Sequence, residues 1–417
     1  MHARNRWSDF ARTRVAVAVL GLCVFAEARG APDLGAQSRT ASAAFDVLVE
    51  ALRAEPSGDV EALRAEPRDV EALRTEPSGD VESALVALGA FTRAELRTIL
   101  ERAAAPGSGD DVAAAALAVL ERFGRADDLV FAGGLHRAGA ELALQNAVLA
   151  VARRDENALD VLEGTSRTVT PLVRITFVRA VERLETLDAV SWIARCAQRA
   201  PDVRAEALAR LGRLSERLPH PAPDDALALV HGVLGGIATD GLRDAVIAAG
   251  RMEDGDAVPY LIALLGEDDN GLRMDAAWSL QRITGLRLRE RKERWEQWYV
   301  GELEWWRDRS EYVFSDLDSL DRATLTKALL EISARQSSRD RLALRVLPLL
   351  ASPSPDVAKL AAQTLRILRS KVACVDLILA LERPEPEIGL EAWRALRAIT
   401  RKDLPRDVDA WRSACRT

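Results

Sequence analysis

The chain has 417 residues and a formal net charge of −7, with 48% hydrophobic but only 5% aromatic side chains. That length holds two or three ordinary domains or one repeat array, and a composition rich in Ala and Leu but poor in aromatics favours helix over a packed β-protein. The acidic balance argues against broad electrostatic binding of nucleic acid.

Arg4, Arg6, Arg12 and Arg14 form a basic start, followed by an apolar run over residues 15–26 that is too short to span a bilayer comfortably. Ala26-Glu27-Ala28 then offers a small-x-small cleavage site. The spacing predicts a secretory signal over residues 1–28, cut after Ala28, with the mature chain in the periplasm or cell envelope. An uncleaved anchor and lipidation at Cys23 are the alternatives. Leu22 stands where lipidation expects a small residue, and Cys23 lies inside the apolar run rather than at its end. No later segment is long and apolar enough to span a membrane.

Residues 29–83 read as a low-complexity spacer. Its units at 49–59, 60–69 and 70–80 each carry one turn of Glu-Ala-Leu-Arg helix former, closed by Pro56, Pro67 or Pro77. Proline stops continuation of that turn as one helix. One Leu and one Val per unit leave little to bury. A semi-extended tether is expected, with a peptide docking motif as the alternative.

From residue 84 onward an apolar–Ala–Leu column recurs at i, i+4 and i+8. It appears as Val112/Ala116/Leu120, Val203/Ala207/Leu211, Leu272/Ala276/Leu280, Val357/Ala361/Leu365 and Ile388/Ala392/Leu396. That spacing marks one face of a helix. An upstream pair accompanies four copies: Trp192/Cys196, Leu261/Leu265, Val346/Leu350 and Leu377/Leu381. The units are therefore helix pairs recurring every ~30–35 residues, which must stack to bury their apolar faces. The predicted fold is all-α, an α-solenoid of stacked antiparallel helix pairs. Thr92 with Glu95 three residues on reads as a capping box that opens the early helices.

The pattern resembles the HEAT-repeat family of bacterial type. The best copy, residues 256–285, carries Pro259 in its first helix, an acidic turn at Glu267-Asp268-Asp269, and Arg273 early in its second helix. Arg204, within Asp202-Val203-Arg204-Ala205-Glu206-Ala207, marks a second good copy. The resemblance spans roughly residues 90–400, less one insertion, and implies HEAT-like repeats at 84–285 and 321–417. It implies stacking rather than chemistry.

Residues 286–320 form a Trp-rich insertion. Trp295, Trp298, Tyr299, Leu303, Trp305 and Trp306 fall within one arc of about 160° on a helical wheel, the width of a buried face. A helix packed across the solenoid is one reading, and an aromatic groove for a peptide, glycan or lipid headgroup is the other. Glu302 sits inside the arc and fits neither. Arg287, Arg289 and Arg291 crowd the approach, as a solvated charged face or as a patch for an acidic partner. The run Leu280-x-x-Ile283-Thr284, Leu288, Trp295 recurs at Leu396-x-x-Ile399-Thr400, Leu404, Trp411, every member displaced by 116. The duplicate predicts a staple at each site, the second serving as a C-terminal cap.

Chemistry-bearing patterns are sparse. His136, His220 and His231 are scattered without an acid or nucleophile at motif spacing, and no H-E-x-x-H, G-x-S-x-G, phosphate loop or C-x-x-C occurs. Cys196, Cys374 and Cys415 cannot form a closed disulfide framework, and the first two are expected in the core. The reading is an exported, non-catalytic scaffold, monomeric, with no cofactor, metal or nucleic-acid partner. It would engage an unidentified protein through its second helices. Candidate contact residues are Arg204, Arg273, Arg287, Arg289, Arg291, Trp298 and Trp305. A helical-repeat enzyme similar to the bilin lyases, or a structural envelope component, is the alternative.

Overall fold

A computed structural model describes residues 40–54, 79–236, 240–319 and 321–415. The predicted signal at 1–28 and most of the Pro-interrupted repeat lie outside the described residues. Among those described, every regular element is helical and no strand occurs. They divide into two compact units, the first ending at Val119 and the second beginning at Leu120.

The first unit starts earlier than the repeat column does. Helix α1 (Ala41–Ala54) buries Ala44, Phe45, Leu48 and Val49 on one face. The Thr40 hydroxyl accepts from the Ala43 N–H at 3.2 Å and caps its start. Helix α2 (Gly79–Leu88) packs against it through Val81, Ala84, Leu85 and Leu88. Residues 41–54 and 79–83 of the predicted 29–83 spacer are therefore helical, which corrects that reading over those residues. The apolar spacing Phe45, Leu48, Val49 and the last repeat's Val81 supply what one isolated turn cannot bury. Helix α3 (Arg93–Ala103) opens on the expected capping box. The Glu95 N–H donates to the Thr92 hydroxyl at 3.4 Å, and the Thr92 N–H to the Glu95 carboxylate at 2.8 Å. Those bonds from Thr92 hold the Glu95 carboxyl below its ordinary range.

The chain continues through α4 (Asp110–Phe123), α5 (Ala132–Leu135), α6 (Glu141–Arg154), α7 (Ala158–Thr165), α8 (Pro171–Glu182), α9 (Leu187–Arg199), α10 (Arg204–Arg217), α11 (Asp224–Leu234), α12 (Leu242–Met252), α13 (Val258–Leu264) and α14 (Asn270–Thr284). In the second unit α6, α8, α10, α12 and α14 stack in order as one row, while α7, α9 and α11 stack as another. This is an α-solenoid of antiparallel pairs, consistent with a HEAT-like repeat. The column residues lie where the rows meet. Ala207, Leu211, Ala276 and Leu280 are inaccessible, as are the upstream Trp192 and Leu261. Small residues set the row spacing. A Cβ on Gly250 of α12 would lie 2.8 Å from Ser279 Cα of α14. There the Ser279 hydroxyl donates to the Val246 carbonyl at 2.7 Å.

A second run comprises α15 (Lys292–Asp308), α16 (Ser310–Asp316), α17 (Arg322–Ser333), α18 (Arg339–Val346), α19 (Pro355–Leu368), α20 (Cys374–Ala380), α21 (Pro386–Thr400) and α22 (Val408–Ala414). Here α17, α19 and α21 form the second-helix row, and α22 covers α20. Trp305, Val313 and Leu317 belong to one apolar cluster that continues through Leu365 and Leu396 to Trp411. The predicted insertion at 286–320 is thus the first-helix layer of this run rather than an appendage.

The duplicated staple is present bond for bond. Thr284 and Thr400 each donate a hydroxyl to the carbonyl four residues back, at 2.7 and 2.8 Å. Each then accepts an N–H from two residues on, Leu286 at 3.1 Å and Lys402 at 3.2 Å. The chain turns at Gly285 and Arg401, both left-handed, and Trp295 and Trp411 are buried beneath the turn.

Candidate functional site

The two runs of the second unit meet at the C-terminal ends of their second helices. Glu216, on the last turn of α10, accepts from Arg282 of α14 at 2.9 Å and from Arg401 beyond α21 at 2.8 Å. Glu253, just past α12, accepts from the buried Arg339. Lys371, just past α19, donates to the carbonyl of Ser215, and His220 Nε2 lies 2.7 Å from the carbonyl of Cys415. Burial pushes the Glu216 carboxyl up, but Arg282 and Arg401 outweigh it and hold the group below its ordinary range. Burial depresses both Arg339 and Lys371, each against the pull of Glu253.

Cations outnumber carboxylates in this cluster, which invites an anion-binding reading. The bonds oppose it. Arg282 Nε donates to the Gly250 carbonyl at 3.2 Å, Arg339 to that of Ile283, and Lys371 to that of Ser215. Each target is a carbonyl at a helix end, where roughly half a negative charge resides. The positive excess is spent on neighbouring helix termini, so the cluster is a clasp. Glu253, Arg369 and Arg401 hold φ values of 58°, 54° and 58° there. A left-handed non-glycine residue costs about 1–2 kcal/mol. Glu253 and Arg401 place their charges in the clasp from that conformation.

Outside the clasp, α14 carries an uncovered apolar pair. Met274 is 54% exposed and Trp278, one turn on, 41%. They lie off the Leu272/Ala276/Leu280 column, on the side turned from the core. The Arg282 guanidinium stands 5.2 Å over the Trp278 ring, within cation–π range. Arg243 of α12, well exposed, pairs with Asp275 beside them. The sequence signal for both is a large apolar residue off the buried register of α14, weaker than the dense aromatic cluster at 295–306.

The predicted contact residues are scattered. Arg204 is half-buried, and Arg287, Arg289 and Arg291 are exposed. Arg273 is turned onto its own loop, donating to the carbonyls of Glu267 and Asp268 at 2.8 and 2.9 Å. Trp298 is half-buried, edge-on to Trp295 at 5.7 Å. Trp305 is buried, and its indole donates to Glu331 at 2.6 Å. It is a core residue of α15, which removes it from a free contact surface. Glu302 is explained: it pairs with Arg335, which stacks 4.1 Å over Trp305. Leu303, placed in the buried arc by the wheel, is 50% exposed, because neighbours cover α15 on only one flank.

His231 of α11 gains a close acid: it lies 2.6 Å from the buried Asp254 and is stacked on Tyr260. The other Asp254 oxygen accepts the Asp256 N–H at 3.0 Å, so the carboxylate also caps a turn. The hydrogen bond to Asp254 raises the His231 pKa, against burial. Among the described residues no group of three His, Cys, Asp or Glu is placed to hold a metal ion, and no helix is long and apolar enough to cross a membrane.

No protein-family model matches the chain, and no curated protein matches it. Solved structures do. One is an engineered protein from the Northeast Structural Genomics Consortium, 18% identical over 87% of this chain and 96% of its own, with a TM-score of 0.32. Another is a microtubule polymerase with an array of tumour overexpressed gene (TOG) domains, studied for tubulin recruitment and assembly. It is 12% identical over 72% of this chain and 77% of its own, with a TM-score of 0.22.

Proposed function

We propose that this chain is an exported, non-catalytic scaffold of HEAT-repeat type that holds a partner protein on its second-helix face. The observation that supports it is the Met274–Trp278 pair. Tryptophan and methionine left in water on a rigid helix forfeit burial free energy that a partner can recover, and Trp dominates such interfaces. Arg243 at the margin, well exposed, suits an acidic segment on the partner and would speed its approach. The clasp holds the neighbouring helix ends together, so the face needs little reordering on binding.

The test places a photo-crosslinking residue at position 278, and in a second protein at position 303 on α15. Cells are irradiated and envelope fractions compared. A specific adduct from 278, competed by unmodified protein and lost in Met274→Ala, is the expected result. Equal labelling from both positions, or none from 278, would reject this face. Fractionation of the same cells tests export: a mature species shortened by residues 1–28 outside the cytoplasm is expected. Recovery of the full-length chain in the cytoplasm would reject export.

A further inference from the structure

The turn between α14 and α15 carries more positive charge than it spends. Residues 286–294 hold five bases, Arg287, Arg289, Arg291, Lys292 and Arg294, against the acids Glu290 and Glu293, in a chain of net charge −7. Arg287, Arg289, Arg291 and Arg294 are exposed. Among the described residues none of these four guanidiniums has an ion pair or a hydrogen bond, and of the five bases only Lys292 pairs, with Glu296 at 4.0 Å.

The duplicated staple supplies an internal control. Displaced by 116, the same turn is built with Asp403, Pro405, Asp407 and Ala410 in the places of Arg287, Arg289, Arg291 and Arg294. There the carboxylates are used: Asp403 pairs with Arg397 at 2.8 Å, and Asp407 caps α22 by accepting the Ala410 N–H at 2.8 Å. The turn and its buried Trp therefore form without arginine. In the first copy arginine is kept against local cost. Arg291 stands at the start of α15 with no capping bond, and a cation there opposes the helix dipole. Arg289 holds φ 54°, a left-handed conformation that glycine would adopt freely. The Trp295 indole N–H fixes the Arg289 carbonyl at 2.7 Å, so these charges stand on a held backbone.

We propose that this turn is a docking site for an acidic peptide segment of a partner protein, separate from the Met274–Trp278 face and not dependent on it. Guanidinium forks match carboxylates pairwise, and four of them on one held turn can be engaged with little loss of backbone freedom. A narrow segment fits better than a broad anionic surface. The Glu267-Asp268-Asp269 turn is exposed beside Lys292, whose Nζ lies 2.9 Å from where a Cβ on Gly266 would stand, and Glu296 and Glu304 are exposed on α15. A membrane or a nucleic-acid duplex would press phosphates against those carboxylates. Leu286 and Leu288 are half-buried and leave the turn without an apolar side chain to insert into lipid.

The full chain is titrated against a fluorescein-labelled polyglutamate peptide at low and high salt, and against phosphatidylglycerol vesicles. Peptide binding that weakens as salt rises is expected. Affinity should fall about tenfold or more in the triple variant Arg287→Gln, Arg291→Asp, Arg294→Gln. Arg291→Asp alone should bind more weakly yet melt higher, because it supplies to α15 the cap that Asp407 supplies to α22. Arg406→Gln, in the second copy, should bind as the wild type does, and so should Met274→Ala, which separates this site from the Trp278 face. The inference is overturned if the peptide does not bind at low salt, if the triple variant binds equally, or if the vesicles bind more tightly than the peptide through the same arginines. An Arg291→Asp protein that melts lower with its binding unchanged would make the arginines structural and overturn it as well.

Discussion

Trp295 and Trp411 make the same bond from two places in the chain: each indole N–H donates to the backbone carbonyl six residues upstream, Arg289 at 2.7 Å and Pro405 at 2.8 Å. The ring fills the space under the turn while the N–H satisfies a carbonyl of the loop that makes it. Trp295→Ala should cost about 3–5 kcal/mol, and Trp295→Phe, which keeps most of the volume but not the donor, about 1–2 kcal/mol. Trp411→Ala should follow the first pattern. Urea unfolding of the three variants measures this; an alanine variant no less stable than the phenylalanine one would refute the staple.

Glycine tests the row spacing in both directions. Gly250→Ala puts a methyl 2.6 Å from the Ser279 hydroxyl oxygen and should destabilise by about 1–3 kcal/mol. Gly301 sits on exposed α15 with nothing within 4 Å of an added Cβ. There alanine should stabilise by about 0.5–1 kcal/mol through helix propensity. Thermal melts of the two single variants should move in opposite directions. Ala276→Leu should behave like Gly250→Ala.

The clasp should be graded by burial. Arg339→Met strips Glu253 and the Ile283 carbonyl of their partner in a nearly inaccessible place, at a cost of about 3–5 kcal/mol. Arg401 bonds Glu216 from a half-exposed position. Its replacement by Met should cost no more than ~1 kcal/mol. Equal losses by denaturant titration would mean that the cluster acts through bulk charge rather than through helix ends.

His231 gives the fold a pH dependence of known sign. Its folded pKa is raised above 6.5 by the bond to Asp254. The folded state therefore holds its proton more tightly than the unfolded one. The stabilisation is complete below about pH 6.5 and is lost as pH rises through the folded value. Relative to His231→Gln, the wild-type melting temperature should fall between pH 6 and pH 9. Parallel curves across that range would exclude the linkage.

What periodicity can carry was legible in the sequence. Ala207, Ala276 and Ala392 sit where a column spaced by four residues must face its neighbours, and the duplicated Leu-x-x-Ile-Thr tail foretold the Trp staples. Partnerships set by how helix runs return on one another were not legible. Nothing local at Lys371 points to Ser215, and nothing at Arg401 points to Glu216. Helix α1 was hidden because the proline-punctuated units begin inside it, at Val49, and drew the whole segment toward an extended reading. Leu303 shows the limit of a helical wheel: the arc is a property of the helix, but burial depends on which flank another helix occupies. For the candidate face, Trp278 stood in plain view, two positions off the column.

The bond from Arg401 to Glu216 spans 185 residues, which sets a timetable for assembly. In an ordinary repeat array each unit is completed by the next one made, and folding follows synthesis closely. Here the carboxylate of α10 waits for a guanidinium made 185 residues later. At ~5–20 residues per second that delay is on the order of ten seconds or more. Until then the middle repeats lack those partners at their helix ends, so that interval is when a chaperone would find the chain most open to capture.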